Sequence, residues 1–207
     1  MNSFPKLRFT TTWLIELLFK TRTYGLENIP LTGPFVVVAN HASLLDPYLI
    51  GYTSLNRQVG FMAKEELFRI PLFGSLIRHL GAFPVKRGTR DQQAIQRFHD
   101  FLHSGKPLVL FGEGTRTLDG NLQPAKKGAG MLLYSARVPV IPAYIQGTFE
   151  AWPKGKLLPR RRPTSVTYGP PIDLEDLFQG EPVRGTYALI AARVTQKIAD
   201  LKPLPKT

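Results

Sequence analysis

Short apolar runs rich in β-branched residues alternate along this chain with stretches of helical period, and that alternation most constrains its fold. Phe35-Val36-Val37-Val38-Ala39, preceded by the Gly33-Pro34 breaker, reads as a buried strand. Residues 59–63 and 82–85 read as two more. Pro107-Leu108-Val109-Leu110-Phe111 is apolar throughout, as a central strand covered on both faces is. Residues 138–145 and 164–168 complete the set. Helical stretches lie between the strands. Residues 47–55 have Asp46 as N-cap and Pro47 at the first helical position. Residues 71–80 stop at Gly81. Residues 91–103 put Ala94, Ile95, Phe98, Phe101 and Leu102 on one face and stop at Gly105. Residues 128–137 form another, and a last helix carries Val183, Tyr187, Ile190, Val194, Ile198 and Leu201 at three-four spacing. The pattern predicts an α/β fold: a single layered domain with a mostly parallel or mixed central sheet flanked by helices.

At 207 residues the chain fits one such domain with a proper core. Residues 23–201 are assigned to it, residues 202–207 to a loose tail, and residues 1–22 to an N-terminal amphipathic helix. In that helix Phe9, Trp13, Leu17 and Leu18 share a broad face, with Lys6, Arg8, Glu16 and Lys20 toward the other sides. Aromatic and basic residues combine in this way in helices that lie on a membrane surface; a helix packed on the domain is the alternative. Glu16 interrupts the apolar run and no small-residue cleavage site follows, which argues against a signal peptide. No run is long and apolar enough for a conventional spanning helix.

Lys and Arg number 27 against 15 Asp and Glu, a net charge of +12. Such a field favours nucleic acid, an anionic membrane face or phosphorylated substrates, and does not choose among them. The absence of cysteine excludes disulfides, thiolate nucleophiles and cysteine metal sites.

Four segments carry candidate chemistry. The first is Asn40-His41-Ala42-Ser43-Leu44-Leu45-Asp46, directly after a buried strand, where α/β sheets place functional loops. A five-residue separation sets His41 and Asp46 roughly 140° apart on a regular helix, so the pair belongs to a strand-loop-helix junction. There Asp46 can orient the imidazole and leave its other nitrogen as a base, or serve only as a helix cap. The second is Phe111-Gly112-Glu113-Gly114-Thr115-Arg116, at the end of the apolar strand. Its glycines let backbone amides approach an anion, and Thr115 and Arg116 can donate to phosphate oxygens; a plain glycine turn with solvated charges is the alternative. Lys126-Lys127-Gly128 follows at a helix start, another anion-friendly place, with Lys127 a possible support. The third is Gly81-Ala82-Phe83-Pro84-Val85-Lys86-Arg87, a strand ending in two cations. The fourth, Val138-Pro139-Val140-Ile141-Pro142, is chemically silent: an apolar wall for an acyl chain, or core.

In order, spacing and identity these segments resemble the glycerolipid acyltransferase family typified by 1-acyl-glycerol-3-phosphate acyltransferases. That family carries His, four residues, then Asp; a glycine-led strand ending in Arg; a Phe-Pro-Glu-Gly-Thr-Arg block; and a Val-Pro-Ile-Val-Pro-like block. The likeness runs from about Asn40 to Thr148. It implies His41 as base and Asp46 as its orienter. It implies acceptor-phosphate binding by Arg87, Glu113, Gly114, Thr115 and Arg116, with Asn40 and Lys86 as possible support. Gly112 stands where the family usually has Pro, which loosens the loop and bears on phosphate geometry and acceptor preference. The implied reaction moves a fatty acyl group from acyl-CoA or acyl carrier protein to 1-acyl-glycerol-3-phosphate, giving phosphatidic acid, with no cofactor beyond the thioester donor. Glycerol 3-phosphate, another lysophospholipid or a lyso-ornithine lipid are alternative acceptors. The implied setting is the cytoplasmic face of an anionic membrane. A noncatalytic membrane-binding module with this fold is the reading from another class, and the intact His41, Asp46, Glu113 and Arg116 argue against it.

Two further signals carry less weight. His99 and His103 stand four apart on a helical stretch, but no third metal ligand is apparent, so no metal is expected. Arg160-Arg161-Arg162, between Pro159 and Pro163, suits anionic headgroups or a solvated loop. Nucleic-acid binding is not expected, because the chain lacks cations interleaved with aromatics on one surface.

Overall fold

A computed structural model describes residues 17–53, 57, 59–86 and 91–203. Within them the apolar runs and one short edge segment form a seven-stranded sheet: β1 (Arg22–Tyr24), β2 (Val36–Ala39), β3 (Gly60–Lys64), β4 (Ala82–Val85), β5 (Leu108–Phe111), β6 (Val140–Gln146) and β7 (Ser165–Tyr168). The spatial order is β1-β7-β6-β2-β5-β3-β4. All pairings are parallel except β6 with β7. The sheet is therefore mixed, as the alternation of elements predicts.

Strand periodicity divides the core in two. Val37, Val109 and Ile141 face α1 (Asp46–Thr53), which contributes Leu49 and Ile50, and α2 (Phe73–His79), which contributes Ile77. Val36, Val38, Leu108, Leu110 and Val140 face the other way. They meet Phe98 and Leu102 of α3 (Gln92–His103), Leu132 and Leu133 of α4 (Lys127–Ala136), and Ile190, Val194 and Ile198 of α6 (Thr186–Ala199). A short helix, α5 (Thr148–Ala151), follows β6. The helices α4 and α6 approach so closely that a Cβ on Gly130 would stand 1.9 Å from the Tyr187 carbonyl oxygen. The second half of the fourth segment resolves to core: Val140, Ile141 and Pro142 lie buried within β6, while Pro139 just before it is exposed and its carbonyl accepts the Val36 amide at 2.9 Å.

Helix ends differ from the sequence expectation by a few residues. The pattern does not announce β1, a three-residue edge strand with alternating exposure that pairs with β7. Most of the N-terminal helix lies outside the described residues. Its described end, 17–19, places Phe19 in the core, and the Phe19 carbonyl accepts the Thr164 amide at 2.9 Å. Residues 204–207 of the tail and Arg87 also lie outside.

The register matters for the site. Ala39 pairs with Phe111 across adjacent parallel strands, so the loops after β2 and β5 leave the same end of the sheet side by side. Lys64 pairs with Val85 at that same end of β3 and β4. Loops at the C-terminal ends of parallel strands are where such sheets assemble sites.

Candidate active site

The β2 loop folds Asp46 back onto His41. Asp46 Oδ2 lies 2.9 Å from His41 Nδ1 and accepts the Ala42 and Ser43 amides, each at 2.7 Å. Asp46 opens α1, yet the donors to its carboxylate come from the preceding loop, where Ser43 Oγ also accepts the Leu45 amide at 3.2 Å. Asp46 is 0% exposed and His41 9%. The carboxylate fixes the tautomer with a proton on Nδ1, which leaves the Nε2 lone pair as a base. The imidazole stacks on Phe111, with ring centroids 4.1 Å apart and planes at 20°.

The β5 loop grips the His41 backbone from both sides. Glu113 Oε1 accepts the His41 amide at 3.1 Å, and the Thr117 amide donates to the His41 carbonyl at 2.8 Å. Glu113 is 4% exposed. Burial pushes its carboxyl up to about 7, against the lowering pull of the His41 and Gln123 amides and with help from the nearby Asp46 and Asp119 charges. Asn40 pins the other flank, donating to the Ile145 carbonyl at 2.9 Å and accepting the Ile145 amide at 2.7 Å. Ser43 Oγ donates to the Trp152 carbonyl at 2.8 Å, which ties the β2 loop to the segment after α5.

Gly114 turns the β5 loop with φ +70°, and its amide donates to the Phe111 carbonyl at 3.0 Å. Only a residue without a Cβ adopts this backbone at little cost. The Lys126 Nζ hangs over this turn, 3.4 Å from where a Gly114 Cβ would stand.

His41 opens onto a cavity of about 1070 Å³. Its lining includes the apolar side chains Tyr52, Phe61, Leu67, Phe73, Ile77 and Leu80. It also includes Thr115, Arg116, Lys126, Lys64, Lys86 and Lys154. The structure thus brings His41, Gly114, Thr115, Arg116 and Lys86 to one cavity. Asp46, Glu113 and Asn40 stand behind it as buried supports. Lys127 is exposed and does not line the cavity, whereas its neighbour Lys126 does. Residue-level spacing at a helix start does not tell which of two adjacent lysines faces inward. Trp152 and Lys154, which also line the cavity, were not legible as site residues because they come from a loop remote in sequence.

Among the described residues no group of three or more His, Cys, Asp or Glu side chains is placed to hold a metal ion. His99 Nε2 is bonded to Ser135 Oγ at 3.1 Å.

The site can therefore orient an imidazole beside a cavity lined by apolar side chains and cations. Known proteins share its sequence and its fold. A chloroplastic 1-acyl-sn-glycerol-3-phosphate acyltransferase of Brassica napus is 33% identical over 186 residues, covering 88% of this chain and 51% of its own. The 1-acyl-sn-glycerol-3-phosphate acyltransferase of Bacillus subtilis strain 168 is 29% identical over 189 residues, covering 91% and 92%. The chain thus spans about half the length of the plant relative and nearly all of the bacterial one. The crystal structure of the 1-acyl-sn-glycerophosphate acyltransferase PlsC from Thermotoga maritima matches with a TM-score of 0.72 and 29% identity, over 100% of this chain and 86% of that one. The acyltransferase family model matches residues 20–146, more than half of the sequence, and the chain belongs to that family.

Proposed function

We propose that this protein transfers a fatty acyl group from an acyl thioester, acyl-CoA or acyl carrier protein, to the free hydroxyl of 1-acyl-glycerol-3-phosphate, giving phosphatidic acid for phospholipid synthesis. The observation that carries this reading is the His41–Asp46 pair at the wall of a cavity lined by both apolar side chains and cations. An acyl chain suits the apolar lining and a phosphate the cations.

In this mechanism His41 Nε2 removes the acceptor hydroxyl proton as that oxygen attacks the thioester carbonyl. The imidazolium is stabilised by Asp46, already bonded to Nδ1. Collapse of the tetrahedral adduct breaks the C–S bond, and the imidazolium returns its proton to the leaving thiolate. No covalent intermediate on the protein and no cofactor are needed. Arg116, with Thr115, the Gly114 turn, Lys86 and Lys126, holds the acceptor phosphate, so that much of the rate comes from placement. Arg87 joins them on the strength of the family resemblance. Glu113 lies behind this group. The resemblance implies phosphate binding for it, but its buried carboxylate is bonded to the His41 amide, which supports a role in holding the loop.

The acceptor and product are membrane lipids, and the +12 charge supports work at an anionic membrane surface, on its cytoplasmic face. No helix among the described residues is long and apolar enough to cross a membrane. Purified protein assayed with acyl-CoA and acyl carrier protein donors against glycerol 3-phosphate and a panel of lysolipids tests the reading. Transfer to 1-acyl-glycerol-3-phosphate above the other acceptors is expected; transfer to none of them would overturn it.

A further inference from the structure

The segment 152–163, Trp-Pro-Lys-Gly-Lys-Leu-Leu-Pro-Arg-Arg-Arg-Pro, contains five cations and no acid. At its centre Leu157 is 87% exposed and Leu158 74%. Exposed apolar residues standing singly are ordinary, but two adjacent leucines projecting this far are not. Nor is the segment slack. The Arg160 amide donates to the Ala151 carbonyl at 2.7 Å and closes the base of the loop. The Trp152 indole N–H donates to the Lys156 carbonyl at 2.8 Å, and the Lys156 amide to the Pro153 carbonyl at 3.3 Å. These bonds hold a turn that includes Gly155 at φ +89° and present the two leucines beyond it.

We propose that this loop is a membrane-docking element. Leu157 and Leu158 insert at the boundary between headgroups and acyl chains, and Lys154, Lys156, Arg160, Arg161 and Arg162 bind anionic headgroups around them. Apolar side chains ringed by cations suit an anionic bilayer, which offers hydrocarbon beneath a negative surface. A soluble polyanion offers no place for the leucines. The position of the loop gives docking a purpose. Trp152 and Lys154 line the cavity that holds His41, and the Trp152 carbonyl accepts the Ser43 hydroxyl in the catalytic loop. A bilayer that receives the leucines therefore meets the protein beside the cavity, where a lysolipid acceptor can pass into it. The proposal deepens the functional reading above and rests on it for that last step.

The chain has no cysteine, so a label can be placed at one site. Full-length protein carrying Leu158→Cys labelled with an environment-sensitive fluorophore should show a blue shift and rise in emission on vesicles of phosphatidylglycerol and phosphatidylcholine. It should show little change with phosphatidylcholine alone or with duplex DNA. Replacing Arg160, Arg161 and Arg162 by Gln in the labelled protein should weaken vesicle affinity by about a hundredfold, since each basic residue near an anionic surface contributes about 1 kcal/mol. An unchanged emission on anionic vesicles, or an equal response to DNA, would overturn the proposal. Acyl transfer to a short-chain, monomeric lysophosphatidate, which needs no surface, is measured in parallel with Leu157→Ser/Leu158→Ser. Activity there that matches wild type, with transfer to vesicle-borne acceptor reduced, is the expected result. An equal loss on both acceptors would assign the leucines to folding or catalysis and overturn docking. Absence of transfer by the wild-type protein would instead defeat the functional reading alone, because the fluorescence response does not depend on it.

Discussion

His41 Nδ1 lies 2.9 Å from Asp46 Oδ2, and that one oxygen also accepts the amides of Ala42 and Ser43. Two of its three donors are backbone, so the carboxylate is placed by the loop and the imidazole is placed by the carboxylate. Asp46→Asn keeps the size and can keep the amide contacts, but it removes the charge and disturbs the tautomer. Loss of kcat by about 10³-fold or more is expected, the scale seen when a histidine base loses its orienting carboxylate. His41→Ala should abolish transfer while the melting temperature stays near wild type. Steady-state kinetics beside thermal melts check both; kcat within tenfold of wild type for either variant would exclude the assigned roles.

Glu113 adds a pH dependence to stability. Burial raises its carboxyl from the ordinary 4.5 to about 7 in the folded protein. The unfolded chain therefore loses this proton at lower pH than the folded one. The group contributes full stability below about 4.5, that contribution falls as pH rises toward 7, and it is absent above. Gln stays neutral and can still accept the His41 amide. Glu113→Gln should flatten this part of the pH profile and stand about 1–3 kcal/mol better relative to wild type at pH 8 than at pH 4. Denaturant unfolding at both pH values measures the difference, and parallel profiles for the two proteins would refute it.

Lys126 and Lys127 are adjacent, yet only Lys126 lines the cavity. Lys126→Gln should raise the apparent KM for the phosphate-bearing acceptor by about five- to tenfold, a loss in keeping with one charge-assisted contact. Lys127→Gln should leave it within about twofold, as a solvated surface charge does. Equal effects of the two substitutions, or an effect of Lys126→Gln confined to the thioester donor, would contradict the placement.

The central strands were legible because burial on both faces forces an uninterrupted apolar run, as Val36-Val37-Val38-Ala39 shows. The edge strand β1 escapes such reading, since Arg22-Thr23-Tyr24 owes its conformation to pairing with β7. The His41–Asp46 junction followed from spacing alone, because five residues do not fit one helix face. The clamp on His41 by Glu113 and Thr117 did not, because it depends on the register that sets Ala39 beside Phe111. The same limit hid Trp152, which reaches the site through its carbonyl contact with Ser43 and leaves no mark in composition.

Gly112, which stands where the family usually has Pro, has a local structural counterpart. A Cβ built there would lie 2.8 Å from the Ala125 Cβ, a contact that neither group can rotate away from. Ala125 is itself held, its amide donating to Thr195 Oγ1 at 2.9 Å, and the next amide, of Lys126, donates to the Gly112 carbonyl at 2.8 Å. Gly112→Ala should therefore destabilise by about 1–3 kcal/mol through overpacking. Gly112→Pro adds the ring and should cost at least as much. Ala125→Gly removes the opposing methyl, so adding it to either variant should recover most of the loss. Chemical denaturation of the single and double variants gives the coupling; additivity within about 0.5 kcal/mol would show that the two positions do not compete for this space.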